Sequence, residues 1–294
     1  MVPPGILLVD KPPVLTSHDV VARTRRAFGT RKVGHAGTLD PMATGLLVIG
    51  IEGATRLLTY IVGADKTYAA TIRLGQTTST DDADGDIVAA PGAEGIADEL
   101  IADGIRALTG RISQVPSSVS AIKVDGRRAY DRVRAGEEVT LASREVTVSR
   151  FDVLARRDGD GVIDLDVVVD CSSGTYIRAL ARDLGAGLGV GGHLTALRRT
   201  RVGDFDVADA VGIDDLADAV ALSPADAAGR VMPVLPVTAD DARDLRHGKR
   251  LAGSAVRLDG AHAAAIDEDG ALVGIVERRG ADLKSVMNMP EVAR

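Results

Sequence analysis

Residues 34–45, Gly-His-Ala-Gly-Thr-Leu-Asp-Pro-Met-Ala-Thr-Gly, constrain this chain more than any other stretch. Three glycines open backbone conformations closed to other residues and allow a ligand to approach closely. Pro41 fixes its own φ and biases Asp40 toward extended backbone, so the carboxylate sits at a rigid corner. Directly after it comes Gly45-Leu-Leu-Val-Ile-Gly-Ile51, an apolar run that reads as a strand buried on both faces. A core strand must therefore leave straight from a tight loop holding one acid. On local chemistry alone, Asp40 is either a turn former bonding its own backbone, the commoner case before Pro, or a reactive group held for a ligand.

The rest of the chain alternates helix and strand signals. Ile6–Asp10 reads as a strand. Ser17–Phe28 reads as a helix with a Thr16/Asp19 capping box and Val20, Val21, Thr24, Ala27 and Phe28 on one stripe. Residues 54–62 look helical, and 66–74 alternate as a strand that turns Tyr68, Ala70, Ile72 and Leu74 to one face. Glu94–Leu108 has the spacing of an amphipathic helix. Residues 113–143 read as a basic insertion with an Asp125-Gly126 turn. Strands at 145–154 and 162–171, a helix near 176–188 and a strand at 194–201 follow. The acidic, Ala-rich stretch 204–229 reads as linker and surface helix, and 230–294 as a small β-rich module with a strand at 251–257 and a hairpin at 263–276. The expected domains are thus 1–203, a linker over 204–229, and 230–294.

At 294 residues the chain can bury a full core. Its single cysteine, Cys171, rules out an internal disulfide or a cysteine-cluster zinc site, and the five histidines lack metal-ligand spacing. No stretch is long and apolar enough for a signal or membrane segment, so a cytoplasmic location is expected. The formal charge of −7 seems wrong for a binder of nucleic acid. Position resolves this, because ten aspartates stand against Arg230 and Arg243 between 204 and 244, leaving the remainder slightly positive. Arg106, Arg111, Lys123, Arg127, Arg128, Arg132 and Arg134 form one basic stretch, and Arg178, Arg182, Arg198, Arg199 and Arg201 another. Either run alone could be a solvated face; two of them suggest a phosphate-tracking groove. With seven aromatic residues and no Trp, a sheet that stacks successive bases is not expected.

The Asp40 loop resembles the GH(T/A)G(T/A)LDP(x)ATG signature of tRNA pseudouridine synthases of the TruB type. Further stretches fall in that family's order: Leu8-Val-Asp-Lys-Pro-Pro-Val-Leu-Thr-Ser17, Lys66-Thr-Tyr68 with Ile72-Arg-Leu-Gly-Gln76, Asp81-Asp-Ala-Asp-Gly85, Cys171-Ser-Ser-Gly-Thr-Tyr-Ile-Arg178 and Leu197-Arg-Arg199. Together they reach from the first strand to about residue 203. Val14 departs from the pattern, since the family usually has Gly there, and this leaves the path of that turn in question.

The resemblance implies an α/β (α+β) pseudouridine synthase fold, with a mixed, largely antiparallel central sheet flanked by helices and a C-terminal PUA-like module. A simple stabilising β unit is the other reading of that module. It also implies isomerisation of a flipped-out uridine at position 55 in the T loop of tRNA, with Asp40 as nucleophile or base, Arg178 as its balancing cation and Tyr68 stacking on the uracil. Tyr176 and Leu197 would line the pocket, His35 would enter the RNA loop, and Arg127 and Arg128 would lie in an RNA-gripping thumb. By themselves Tyr68, Tyr176 and Leu197 pass as core, Arg178 as a surface cation and His35 as a loop residue. Lys11 is open between support of the loop and a phosphate contact. No metal or other cofactor and no obligatory protein partner is expected, and the enzyme would act as a monomer on the T stem-loop. A guide-RNA-dependent synthase and an RNA-binding module without turnover are the alternatives.

Overall fold

The apolar runs near the N-terminus form neighbouring strands with both faces covered. β1 (Gly5–Lys11) pairs antiparallel with β3 (Thr44–Ile51), and β2 (Val33–Ala36) pairs antiparallel with β3 as well. Leu7, Val9, Leu47, Ile49 and Ile51 enter one core, with Val20 and Val21 of helix α1 (Ser17–Phe28). Ile6, Leu8, Leu46 and Val48 enter a second core on the opposite face. This two-sided burial is why the runs show no alternation. α1 begins with the expected capping box, Thr16 and Asp19 exchanging hydrogen bonds, and ends at Gly29 with φ 64°.

The computed structural model describes residues 2–117, 123–124, 127–128 and 141–290. The chain divides into two units, one of 1–41, 45–64 and 201–294, the other of 42–44 and 65–200. In the second unit β4 (Lys66–Leu74) alternates buried and half-buried residues, as its sequence predicts. Helix α2 (Asp98–Ala107) starts four residues later than the periodicity suggests, because Gly95 takes a left-handed turn at φ 73°. β5 (Gly110–Gln114), β6 (Arg144–Gly159) and β7 (Val162–Cys171) follow, with β7 between β4 and β6, and β5 beyond β6, all antiparallel. Helix α3 (Ile177–Gly187) lies so close to α2 that a Cβ at Gly104 would stand 2.7 Å from Leu184. β8 (Gly192–Val202) neighbours β4. Most of the basic insertion lies outside the described residues; within it Lys123–Val124 pair with Arg127–Arg128.

Residues 204–229, expected as linker and surface helix, hold a helix at their end and pack into the first unit. Val211–Gly212 add a parallel edge to β1, Leu222 bridges Ile6, and helix α4 (Pro224–Gly229) buries Ala225, Ala227 and Ala228 in the second core of the first unit. The aspartates are the solvent side of a packed segment. Beyond it, β9 (Val234–Pro236), α5 (Ala239–Arg246), β10 (Arg250–Leu251), β11 (His262–Ile266), β12 (Leu272–Arg279) and β13 (Asp282–Asn288) build a five-stranded sheet in the order β9-β11-β12-β13-β10. The expected strand over 251–257 shrinks to two residues, because Gly253 turns left-handed and 254–257 forms a 3-10 turn. This sheet shares the core of the first unit through Ala264, Leu272, Ile275 and Met289, and Arg56 donates to the carbonyl of Asn288. A mixed, largely antiparallel sheet architecture with a β-rich C-terminal module is what the motifs imply.

Candidate active site

The loop between β2 and β3 is tied down on both sides of Asp40. Ser17 at the start of α1 donates its hydroxyl to the Leu39 carbonyl at 3.1 Å and accepts the Leu39 N–H at 2.9 Å. On the other side the Pro41 carbonyl accepts from the Val14 N–H at 2.9 Å and from the Lys11 ammonium at 3.2 Å. Leu39 and Ala43 are buried anchors, whereas Asp40 itself is half-buried. Reciprocal bonds to Leu39 and two donors to the Pro41 carbonyl fix the backbone that carries the Asp40 carboxylate.

Lys11 is fully buried, and its ammonium also donates to the carbonyls of Pro12 at 3.0 Å and Leu15 at 2.6 Å. A buried ammonium is tolerated only with such partners. It staples the 12–16 turn to the Asp40 loop. Val14 takes φ 73°, so the turn keeps a left-handed path with a β-branched residue where the family has Gly. His35 on β2 is half-buried, with His18 of α1 edge-on to its ring at 5.6 Å.

The remaining candidates belong to the second unit. Tyr68 lies on β4 opposite Val169 of β7 and is 7% exposed. Leu197, on β8, is also buried. Tyr176 precedes α3, held by a two-way bond with the buried amide of Gln114: its N–H donates at 2.8 Å and its carbonyl accepts at 3.1 Å. The Arg144 guanidinium sits 5.6 Å from the centre of the Tyr176 ring.

Arg178, second residue of α3, is 3% exposed rather than a surface cation. Its Nη1 donates to the Thr80 carbonyl at 2.8 Å and lies 3.3 Å from the carboxylate of Asp82, itself buried. Asp82 in turn accepts from the Thr80 hydroxyl and from the Asp84 N–H. Its neighbour Asp81, at φ 61°, faces Arg182 at 3.4 Å. The Asp81–Gly85 turn is thus a carboxylate clamp that orients the first turn of α3. Its role escaped the sequence reading, although two adjacent aspartates closed by Asp-Gly were a visible sign of a site needing cations. Within the second basic stretch Arg178 and Arg199 are buried, Arg182 is paired, and Arg198 and Arg201 are half-buried. The side chains of Arg127 and Arg128 lie outside the described residues.

Lys66, first residue of β4, is buried; desolvation, with the nearby Arg199 charge second, pushes its ammonium down to about 8. Cys171 pairs with it across the β4–β7 ladder, and burial pushes that thiol up to about 11. Among the described residues no cluster of His, Cys, Asp or Glu could hold a metal ion.

Three family models cover most of the chain: the TruB family pseudouridylate synthase N-terminal domain over 25–177, the tRNA pseudouridylate synthase B C-terminal domain over 178–236, and the tRNA pseudouridine synthase II C-terminal domain over 232–290. The tRNA pseudouridine synthase B of Leifsonia xyli subsp. xyli is 60% identical, covering 99% of this chain and 98% of that protein. Its namesake from Mycobacterium ulcerans is 56% identical, over 97% and 94%. Among solved structures, a Cbf5-Nop10-Gar1 complex matches with a TM-score of 0.70 at 25% identity, over 98% of this chain and 84% of that one. An H/ACA RNP bound to a substrate RNA containing 2'-deoxyuridine matches in fold, with a TM-score of 0.72 at 24% identity over 98% of this chain and 85% of that one. With the Asp40 loop, the Lys66-Thr-Tyr68 strand and the Arg178 helix all in the family's order, this chain belongs to the TruB family of pseudouridylate synthases.

Proposed function

We propose that the chain isomerises uridine 55 in the T loop of tRNA to pseudouridine, alone and with Asp40 as the reacting carboxylate. One observation carries the reading: the loop that matches the family signature holds both neighbours of the half-buried Asp40 by side-chain and backbone bonds. In the reaction the N1–C1′ bond of the target nucleotide breaks, the uracil turns, a C5–C1′ bond forms, and the C5 proton leaves as N1 gains one. Nothing is oxidised or hydrolysed, so one carboxylate acting as nucleophile or base suffices.

In this reading Arg178 balances the Asp40 charge, and Asp82 is the positioning residue that holds Arg178. Tyr68 stacks on the flipped uracil, Tyr176 and Leu197 line its pocket, and His35 helps hold the RNA loop open. Arg127 and Arg128 contact phosphates from the 113–143 insertion. Lys11 acts on the RNA only through the Asp40 loop. Residues 1–203 supply the chemistry and 230–294 a PUA-like module. The enzyme works as a cytoplasmic monomer.

The test is release of tritium from C5-labelled uridine in a T-arm stem-loop, with the purified chain and no guide RNA or protein partner. Release that stops when the target uridine is replaced by cytidine supports the reading. Release only after a guide RNA and partner proteins are added would move the assignment to the guide-dependent class. Tight binding without release would leave an RNA-binding module.

A further inference from the structure

Among the described residues, many cations of the C-terminal module are already paired: Arg243 with Asp240, Arg246 with Asp267, Lys249 with Asp244, Arg257 with Asp241 and Arg279 with Glu277. Cations already neutralised in this way add little attraction for a polyanion. α1 and the turn after it differ. Arg23, Arg25, Arg26, Arg31 and Lys32 are all exposed there. Arg25 donates to the Val33 carbonyl and Lys32 meets Glu52 at 3.4 Å, but Arg23, Arg26 and Arg31 have no carboxylate within ion-pair distance among the described residues. Attraction to the helix dipole accounts for arginines in the last turn of α1. It does not account for Arg31, beyond the Gly29 cap; Arg23, a turn earlier, feels the charge of Asp19 but makes no ion pair with it.

This basic face is continuous with the catalytic loop. Ser17, the first residue of α1, holds Leu39 next to Asp40, and His18 meets His35 edge-on. Val20, Val21 and Thr24 fill the buried side of the helix, leaving His18, Asp19, Ala22, Arg23, Arg25, Arg26 and Ala27 on the exposed outer arc, with Asp19 tied up in the capping box with Thr16 at the start of the helix. No large apolar residue lies on that arc, which argues for a phosphate strand over a membrane surface. From Ser17 to Arg26 the helix rises about 14 Å, enough to follow a backbone away from the site.

We infer that the outer face of α1, with Arg23, Arg26 and Arg31, is a phosphate track for the tRNA strand leading away from the target nucleotide; the inference rests on the tRNA reading above. It supplies solvent-facing positive charge in the first unit.

The test compares R23Q/R26Q/R31Q with R23K/R26K/R31K. Glutamine keeps helix propensity and removes charge, and lysine keeps charge. Affinity for a tRNA transcript is measured by filter binding from low to moderate KCl. Each lost phosphate contact flattens the slope of log K against log salt by about 0.7–0.9 and weakens binding about five- to eightfold at 0.1 M salt. Three lost contacts amount to about a hundred- to five-hundredfold. The expected result is a flattened slope and weak binding for the glutamine variant, both restored by lysine. A glutamine variant with the wild-type slope and affinity, in an enzyme that still modifies tRNA, overturns the track and leaves the function standing. A wild-type chain that neither binds nor modifies tRNA overturns both.

Discussion

Val14→Gly should stabilise this protein, against the usual direction for a glycine. Val14 sits at φ 73°, a region that costs an L-residue about 1–2 kcal/mol, and its branched Cβ places it at the upper end. Its side chain is 82% exposed, so removing it forfeits little burial. Against the relieved strain stands the larger freedom of glycine in the unfolded chain, about 0.4–1 kcal/mol. The balance is a gain of about 1 kcal/mol, a rise in melting temperature of about 2–4 °C by the scaling for larger domains. The backbone bond from residue 14 to the Pro41 carbonyl survives the change, so the Asp40 loop keeps its tether. Urea titration and thermal melts of wild type, Val14→Gly and Val14→Ala check the reasoning. Alanine keeps the left-handed strain without the branch and should fall near wild type. A destabilised Val14→Gly would refute the account, because it would mean that the valine side chain makes a net favourable contribution in that turn.

Three further outcomes follow from the same structure. Lys11→Met should cost about 3 kcal/mol in urea unfolding, since it strips three carbonyls of their donor, and should lower kcat more than it raises KM for tRNA. Asp82→Asn breaks the buried pair with Arg178; kcat should fall about ten- to a hundredfold with KM within a fewfold, and a change in KM alone would remove Asp82 from the positioning role. Lys66 has its folded pKa lowered from 10.5 to about 8, so above about pH 8 the unfolded state binds more protons and Lys66 contributes stability that grows until about 10.5. Between pH 8 and 10 the unfolding free energy of wild type should therefore rise relative to Lys66→Met by about 2 kcal/mol. Cys171, raised from 9.0 to about 11, acts in the opposite direction between those values, so the comparison belongs in a Cys171→Ala background.

Where one segment carries its own signal, the sequence is legible. The capping box of α1, the period-two alternation of β4 and the two-sided apolar run of β3 each dictate their element without help from elsewhere. Legibility fails where averages mislead. The aspartates of 204–229 suggest a solvated linker, yet Phe205, Leu216, Ala227 and Ala228 are buried between them. Helix α5 carried a readable Thr238/Asp241 cap that the strand pattern around it obscured. In the site, the loop around Asp40 could be read locally, because glycines and Pro41 specify it. The support of that loop could not, since Lys11 reaches Pro41 across thirty residues of chain, and Asp82 meets Arg178 across still more. Burial decides those pairings, and burial belongs to the fold.

The account stands or falls on one carboxylate. Single-turnover tritium release from a C5-labelled T-arm stem-loop, with binding measured on the same preparations, compares wild type with Asp40→Asn. The account predicts that Asp40→Asn binds the stem-loop within a fewfold of wild type and releases no tritium. Release by Asp40→Asn at the wild-type rate would contradict it and place the chemistry on another residue.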